Sequence, residues 1–135
     1  MAVLSNLGRY KDAGLLILHV GLGAMMIFHG YPKIIGGPDG WAQLGASTKY
    51  VGITFLPTFW GLMAALAEGL GGVLILLGLW FRPAAIFLTL NMIVASAMHL
   101  GKGDGLMDAS HAVELAFVFA GLIFIGPGKY SIDKR

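Results

Sequence analysis

The sequence predicts an all-α integral membrane protein: a four-helix transmembrane bundle with both termini on the same side and a long loop between the first two helices. Composition is the first observation behind that reading. Of 135 residues, 57% are apolar and only 12% are charged, with a mean hydropathy of +0.80, where a soluble domain carries about 25% charged residues. Pattern is the second. Four apolar stretches, roughly 13–30, 58–80, 83–100 and 110–126, each approach the length that crosses about 30 Å of hydrocarbon. These features place residues 1–135 in one transmembrane domain without internal repeats, and they exclude a disordered tail, a coiled coil and a water-soluble enzyme.

The first stretch follows Arg9 and Lys11, as a secretory signal would, but Asp12 interrupts the basic region and no small-x-small cleavage site follows. It is expected to be a retained helix. The segment from Tyr31 to Pro57 is too polar and glycine-rich to span. Trp41, Leu44 and Tyr50 suggest a short helix lying at the interface there. In the second span Gly61, Ala65, Glu68 and Gly72 recur at steps of three and four, a smooth stripe for close helix packing. Spans two and three are separated by Phe81-Arg82-Pro83, where proline suits the first turn of a new helix. Spans three and four are joined by a glycine-broken turn at residues 101–105, with Asp108 or Ser110 expected as the next helix cap.

Basic residues near the span ends set the orientation. Arg9, Lys11, Arg82, Lys129, Lys134 and Arg135 fall on the side of the termini, against Lys33, Lys49 and Lys102 on the other. The positive-inside rule then puts both termini in the cytoplasm of a bacterial-type inner membrane and the long loop outside. A net charge of +2, scattered along the chain, is no footprint for nucleic acid. The absence of cysteine excludes disulfide relays and thiolate metal sites within the chain.

Ionisable groups inside a bilayer cost about 2.5–3.5 kcal/mol each on insertion scales, so each asks for a reason. Glu68 and Asn91 lie near the middles of spans two and three, Glu114 about one turn inside span four. His29, His99 and His111 lie at span ends that the topology gathers on the outer side. Asn91, Ala95 and His99 share one face at four-residue steps, and Glu114 shares a face with His111. These groups are expected to converge in the outer half of the bundle, with Glu68, His99, His111 and Glu114 as proton carriers. His99, His111 and Glu114 also offer ligands of the kind a transition metal accepts. His29, Asn91 and Trp60 would border a quinone, whose reduction takes two protons with its two electrons. Phe28, Tyr31, Trp41 and Phe55 near the same end suit either a pocket for a planar ring or an interfacial belt. His19, in the other half, reads as a packed histidine donating to a neighbouring helix. Each member also has a structural reading: water satisfies an interfacial His29 or His99, His111 contacts the loop, and Glu114 complements a helix dipole.

Phe28-His29-Gly30-Tyr31-Pro32-Lys33, Glu68-Gly69-Leu70-Gly71-Gly72, Arg82-Pro83-Ala84-Ala85, His99 before its glycine turn, His111-Ala112-Val113-Glu114 and the closing Gly126-Pro127-Gly128-Lys129-Tyr130-Ser131-Ile132-Asp133 together resemble the DoxX family of small four-helix membrane proteins. The resemblance covers nearly the whole chain. It implies a membrane oxidoreductase or redox-complex subunit linked to quinone, with His29, Glu68, His99, His111 and Glu114 at the family's recurring polar positions. The lack of cysteine departs from distant relatives that handle disulfides. Two other readings accompany this one: a non-enzymatic membrane anchor for a soluble redox partner, and a binder or transporter of a metal or small hydrophobic molecule, working as a homo-oligomer.

Overall fold

The computed structural model describes residues 3–133, so Lys134 and Arg135 of the orientation argument lie outside the described residues. After a 3-10 segment at Ser5–Tyr10 come α1 (Lys11–Ile35), α2 (Gly37–Gly45), a second 3-10 segment at Ala46–Val51, α3 (Pro57–Leu77), α4 (Phe81–Gly101) and α5 (Leu106–Ile125). Four helices are long and apolar enough to cross a membrane: α1 with its preceding 3-10 segment, α3, α4 and α5. Among the described residues there is no strand. Phe87, Phe117, Phe124 and Ile17 are exposed, as expected of side chains whose surroundings are lipid.

The ends of the spans differ from the expected ones for local reasons. The first helix runs on through Pro32 to Ile35. The prolyl ring removes only one donor, to the Phe28 carbonyl, so the helix continues past it. Most of the expected long loop is therefore helical, and α2 lies at the position of Trp41 and Leu44. The α3–α4 turn lies at Gly78-Leu79-Trp80, earlier than Phe81-Arg82-Pro83, and Pro83 sits in the first turn of α4. Helix α5 begins at Leu106 behind Gly105, so neither Asp108 nor Ser110 caps it. Asp108 lies in its first turn, and the Ser110 hydroxyl donates to the Met107 carbonyl.

Close backbone approach organises the bundle. A Cβ on Gly30 would fall on the backbone of Glu68 and Gly69, and one on Gly72 would meet Gly23, Met26 and Ile27, so α1 lies directly against α3. Further along α3, a Cβ on Gly61 would strike the Trp41 backbone and one on Gly45 the Pro57 carbonyl. The expected smooth stripe on α3 thus receives α1 and α2 in succession. Such proximity replaces the hydrophobic driving force that lipid surroundings remove. Helix α4 packs between α3 and α5. Large side chains fill the half nearest the α3–α4 turn, including Ile75, Phe81, Leu88, Phe119 and Leu122, while the buried positions of the other half include Ala65, Ala109 and Ala112.

The closing segment clamps that turn. Trp80 adopts a left-handed backbone at φ 47°, an uncommon conformation for a bulky residue. The Asp133 carboxylate accepts from the Trp80 and Phe81 N–H groups at 3.0 and 2.8 Å, satisfying donors at the start of α4 that no helical carbonyl reaches. The Ile132 and Asp133 N–H groups donate to the Leu77 and Gly78 carbonyls at 3.1 and 2.8 Å. Asp12 in turn accepts from the Lys129 N–H at 3.2 Å, joining the start of α1 to the segment after α5.

Candidate functional site

Register follows from the contacts between antiparallel helices. Gly71 of α3 faces Leu88 of α4, so three residues back and three on bring Glu68 level with Asn91. The Arg82 Nε donates to the Ile123 carbonyl at 2.8 Å, which by the same counting brings Asn91 level with Glu114. Gly30 faces Gly69, so His29 stands within about one turn of that level, and His111 lies one turn from Glu114 on α5. Trp60 and His99 lie eight residues from Glu68 and Asn91, about 12 Å nearer the end of the bundle.

Glu68 is 4% exposed and forms an ion pair with the Lys33 Nζ. Lys33 was expected to be a loop charge on the outer side. Continuation of α1 past Pro32 instead carries it over Glu68, with 38% of its side chain still exposed. Trp41 holds this last turn of α1, its indole N–H reaching the Lys33 and Ile34 carbonyls at 3.1 and 3.2 Å, the first of which also accepts from the Gly36 N–H at 3.3 Å. A carboxylate in an apolar bundle is thereby neutralised by a lysine whose head still reaches polar surroundings.

A second feature lies between α1 and α5, whose Cα atoms do not come within 8 Å of one another among the described residues. The gap is spanned by rings: His29 and His111 stand with centroids 5.7 Å apart, tilted by 54°, and Phe28 meets His29 edge-on at 5.7 Å. Beside them Ile27, Phe28, His29, Tyr31 and Pro32 line a shallow depression on the α1 surface. The His29 ring and the Tyr31 phenol border it, with His111 across the gap from His29.

The remaining residues are placed differently. His99 Nδ1 lies 3.0 Å from Asp104 Oδ2, with the Lys102 Nζ at 3.7 Å. The glycine turn curls Asp104 back onto the end of α4, where its N–H donates to the His99 carbonyl. The hydrogen bond with His99, with lesser help from Lys102, holds the Asp104 carboxyl below the usual carboxylate range. His111 and Glu114 are both exposed, Asn91 is half-buried, and the buried Trp60 Nε1 has no partner among the described residues. Phe55 and Phe59 pack edge-on against Trp60. Among the described residues no three histidine, aspartate or glutamate side chains gather around a point that would suit one metal ion. His99 is engaged by Asp104 and forms no such group with His111 and Glu114 among the described residues. His19 is 2% exposed and donates from Nδ1 to the Leu76 carbonyl at 3.1 Å, as expected.

Sequence reasoning missed the pairing of Lys33, Asp104 and Asp133, and read Trp41 only as an interfacial or ring-pocket aromatic. One signal for Lys33 was present: a mid-span carboxylate needs a cation, and Lys33 follows span one closely. Asp104 had no signal beyond its place five residues after His99.

Comparison with known proteins matches this architecture to one family. The DoxX profile matches residues 14–100, which include α3 and α4 with all but the start of α1. An uncharacterized protein of Haemophilus influenzae is 29% identical over 138 residues, covering 98% of this chain and 97% of its own. The inner membrane protein YphA of Escherichia coli K12 is 31% identical over 144 residues, covering 96% of this chain and 99% of its own. No solved structure matches. With the polar motifs of α1, α3 and α4 inside the matched segment and full-length likeness to an inner membrane protein, the chain belongs to the DoxX family.

Proposed function

We propose that the protein is a quinone-linked redox subunit of a bacterial-type inner membrane, with both termini cytoplasmic, that binds a quinone head group beside His29. The observation that carries this reading is the His29–His111 ring pair near the level of the ion pair between Lys33 and the buried Glu68. Quinone reduction consumes two electrons and two protons. In this reading a redox partner, soluble or in the membrane, supplies the electrons, and the chain supplies binding and proton delivery. The Tyr31 hydroxyl and a ring N–H of His29 hydrogen-bond the quinone oxygens, and His111 passes protons to His29 from the outer side. Lys33 and Glu68 form the polar wall of the site, with Asn91 at the same level. The apolar floor of Ile27 and Phe28 takes the ring face.

Titration of purified, reconstituted protein with a short-chain quinone tests this reading. Saturable binding is expected, weakened at least tenfold, about 1.4 kcal/mol, by His29→Ala. Quinol formation with a supplied electron donor is expected to fall in Glu68→Gln and His111→Ala. Intact binding in His29→Ala together with undiminished turnover in both other variants refutes it.

A further inference from the structure

Helix α5 carries a row of exposed residues of which the proposed site uses only His111. Met107, His111, Glu114, Val118, Gly121 and Ile125 recur at alternating steps of four and three, and all six are exposed. That is an uninterrupted heptad seam, the pattern by which one helix packs along another. Met107 at 86% exposure lies at one end and Ile125 at 61% at the other. A Cβ on Gly121 would meet nothing within 4 Å, so the backbone is bare at that step. Two of the six side chains are ionisable: His111, exposed although its ring stands against His29, and Glu114, exposed on a membrane-spanning helix where lipid leaves a carboxylate without a partner.

We infer that this seam is the interface with a second copy of the same chain, α5 against α5 in parallel about a two-fold axis along the membrane normal. The occupant is identified by charge. The seam carries one acid and one base one turn apart, so a parallel copy at the same register sets like layers side by side, with the two layers about 4.5 Å apart along the axis and joined by the diagonals. His111 of each chain then meets the partner's Glu114, and both pairs form at once, as an isologous contact requires. Val118 and Gly121 form the next layers, with Gly121 allowing the backbones to close.

The pairing deepens the proposed function and rests on it in one respect: with His111 also ring-stacked near His29, each quinone site would include a carboxylate of the partner, giving the order Glu114 of one chain, then His111 and His29 of the other. The interface itself stands without any quinone chemistry.

The cysteine-free sequence makes the test direct. Single cysteines are introduced at Val118 on the seam and at Phe87 on the exposed side of α4, and purified protein is reconstituted at high lipid dilution and oxidised. Val118→Cys is expected to give a disulfide-linked dimer several-fold in excess of Phe87→Cys. In the Val118→Cys background, Glu114→Ala is expected to weaken dimerisation about 3- to 20-fold per lost pair, the range of measured interhelical hydrogen bonds in membranes. The exchange His111→Glu with Glu114→His, which keeps the complementarity, should restore it. Equal cross-linking at Val118 and Phe87, or loss in the exchanged variant with its helix content intact, overturns the proposal. So does a seam that cross-links only to a different protein in native membranes. Because the readout is cross-linking in the absence of quinone, failure here is distinct from failure of the quinone reading.

Discussion

Removal of Lys33 and removal of Glu68 are predicted to have unequal costs, although the two residues form one ion pair. Glu68 is 4% exposed and sits against the α1 backbone, whereas the Lys33 side chain is 38% exposed. Breaking a fully buried pair costs about 3–5 kcal/mol because the survivor is left uncompensated. Here the partial exposure of Lys33 reduces this, so Lys33→Met is expected to cost about 2–3 kcal/mol, the penalty of a stranded buried carboxyl. Glu68→Leu leaves a lysine that swings to the interface, at a cost of about 1 kcal/mol. The double variant Lys33→Met/Glu68→Leu should cost no more than about 1 kcal/mol relative to the parent, giving a coupling energy of about 2–4 kcal/mol. Equilibrium unfolding in mixed dodecyl maltoside and SDS micelles, followed by far-ultraviolet circular dichroism, measures all four. Equal costs for the two single variants, or a double variant as unstable as their sum, would refute the reasoning.

Further outcomes follow from the packing and the loops. Gly30→Ala and Gly61→Ala drive a methyl group into the backbone of a neighbouring helix and should each lower stability by about 1–3 kcal/mol; Gly14→Ala and Gly21→Ala, which meet open space, should not lower it in the same unfolding assay. Asp133→Ala removes the acceptor of the Trp80 and Phe81 N–H groups and should cost about 1 kcal/mol, with hydrogen exchange accelerating at those two amides first. Asp104 titrates below the usual carboxylate range because His99 bonds it. Its contribution to the α4–α5 turn is therefore complete above the unfolded carboxylate value of about 4 and is lost as pH falls through the lower folded value. Carboxyl carbon shifts of labelled Asp104 should show this, and His99→Ala should move the titration back upward.

The spans were legible because a bilayer imposes length and apolarity on any helix that crosses it, and these leave a plain trace. The close packing on α3 was legible as well, since Gly61, Ala65 and Gly72 recur at helical steps. Pro32 concealed the true end of α1: a proline near a helix end reads as a stop, yet it removes one hydrogen bond and the helix tolerates that. The partner of Glu68 was hidden for the same reason, because pairing with Lys33, 35 residues away, depends on a register between α1 and α3 that their glycine contacts and the His19–Leu76 hydrogen bond fix. Sequence topology put the polar groups in one half of the bundle, and the contacts place Glu68, Asn91, Glu114, His29 and His111 within about a turn of one level. What periodicity did not convey is direction. Glu68 turns inward to Lys33, His99 turns to its own loop, and Glu114 lies on the outer surface. Spacing along one helix gives a shared face, while the orientation of that face depends on neighbours distant in sequence.

The central claim, that a quinone ring lies beside His29, is tested most directly by photolabelling the reconstituted protein with an azidoquinone and locating the adduct by mass spectrometry. Adducts confined to residues 27–33 of α1 and to the facing turn of α5 around His111, displaced by excess unlabelled quinone, are the predicted result. Adducts spread evenly over the lipid-facing residues Phe87, Phe117 and Phe124, with no displacement by excess quinone, would contradict it.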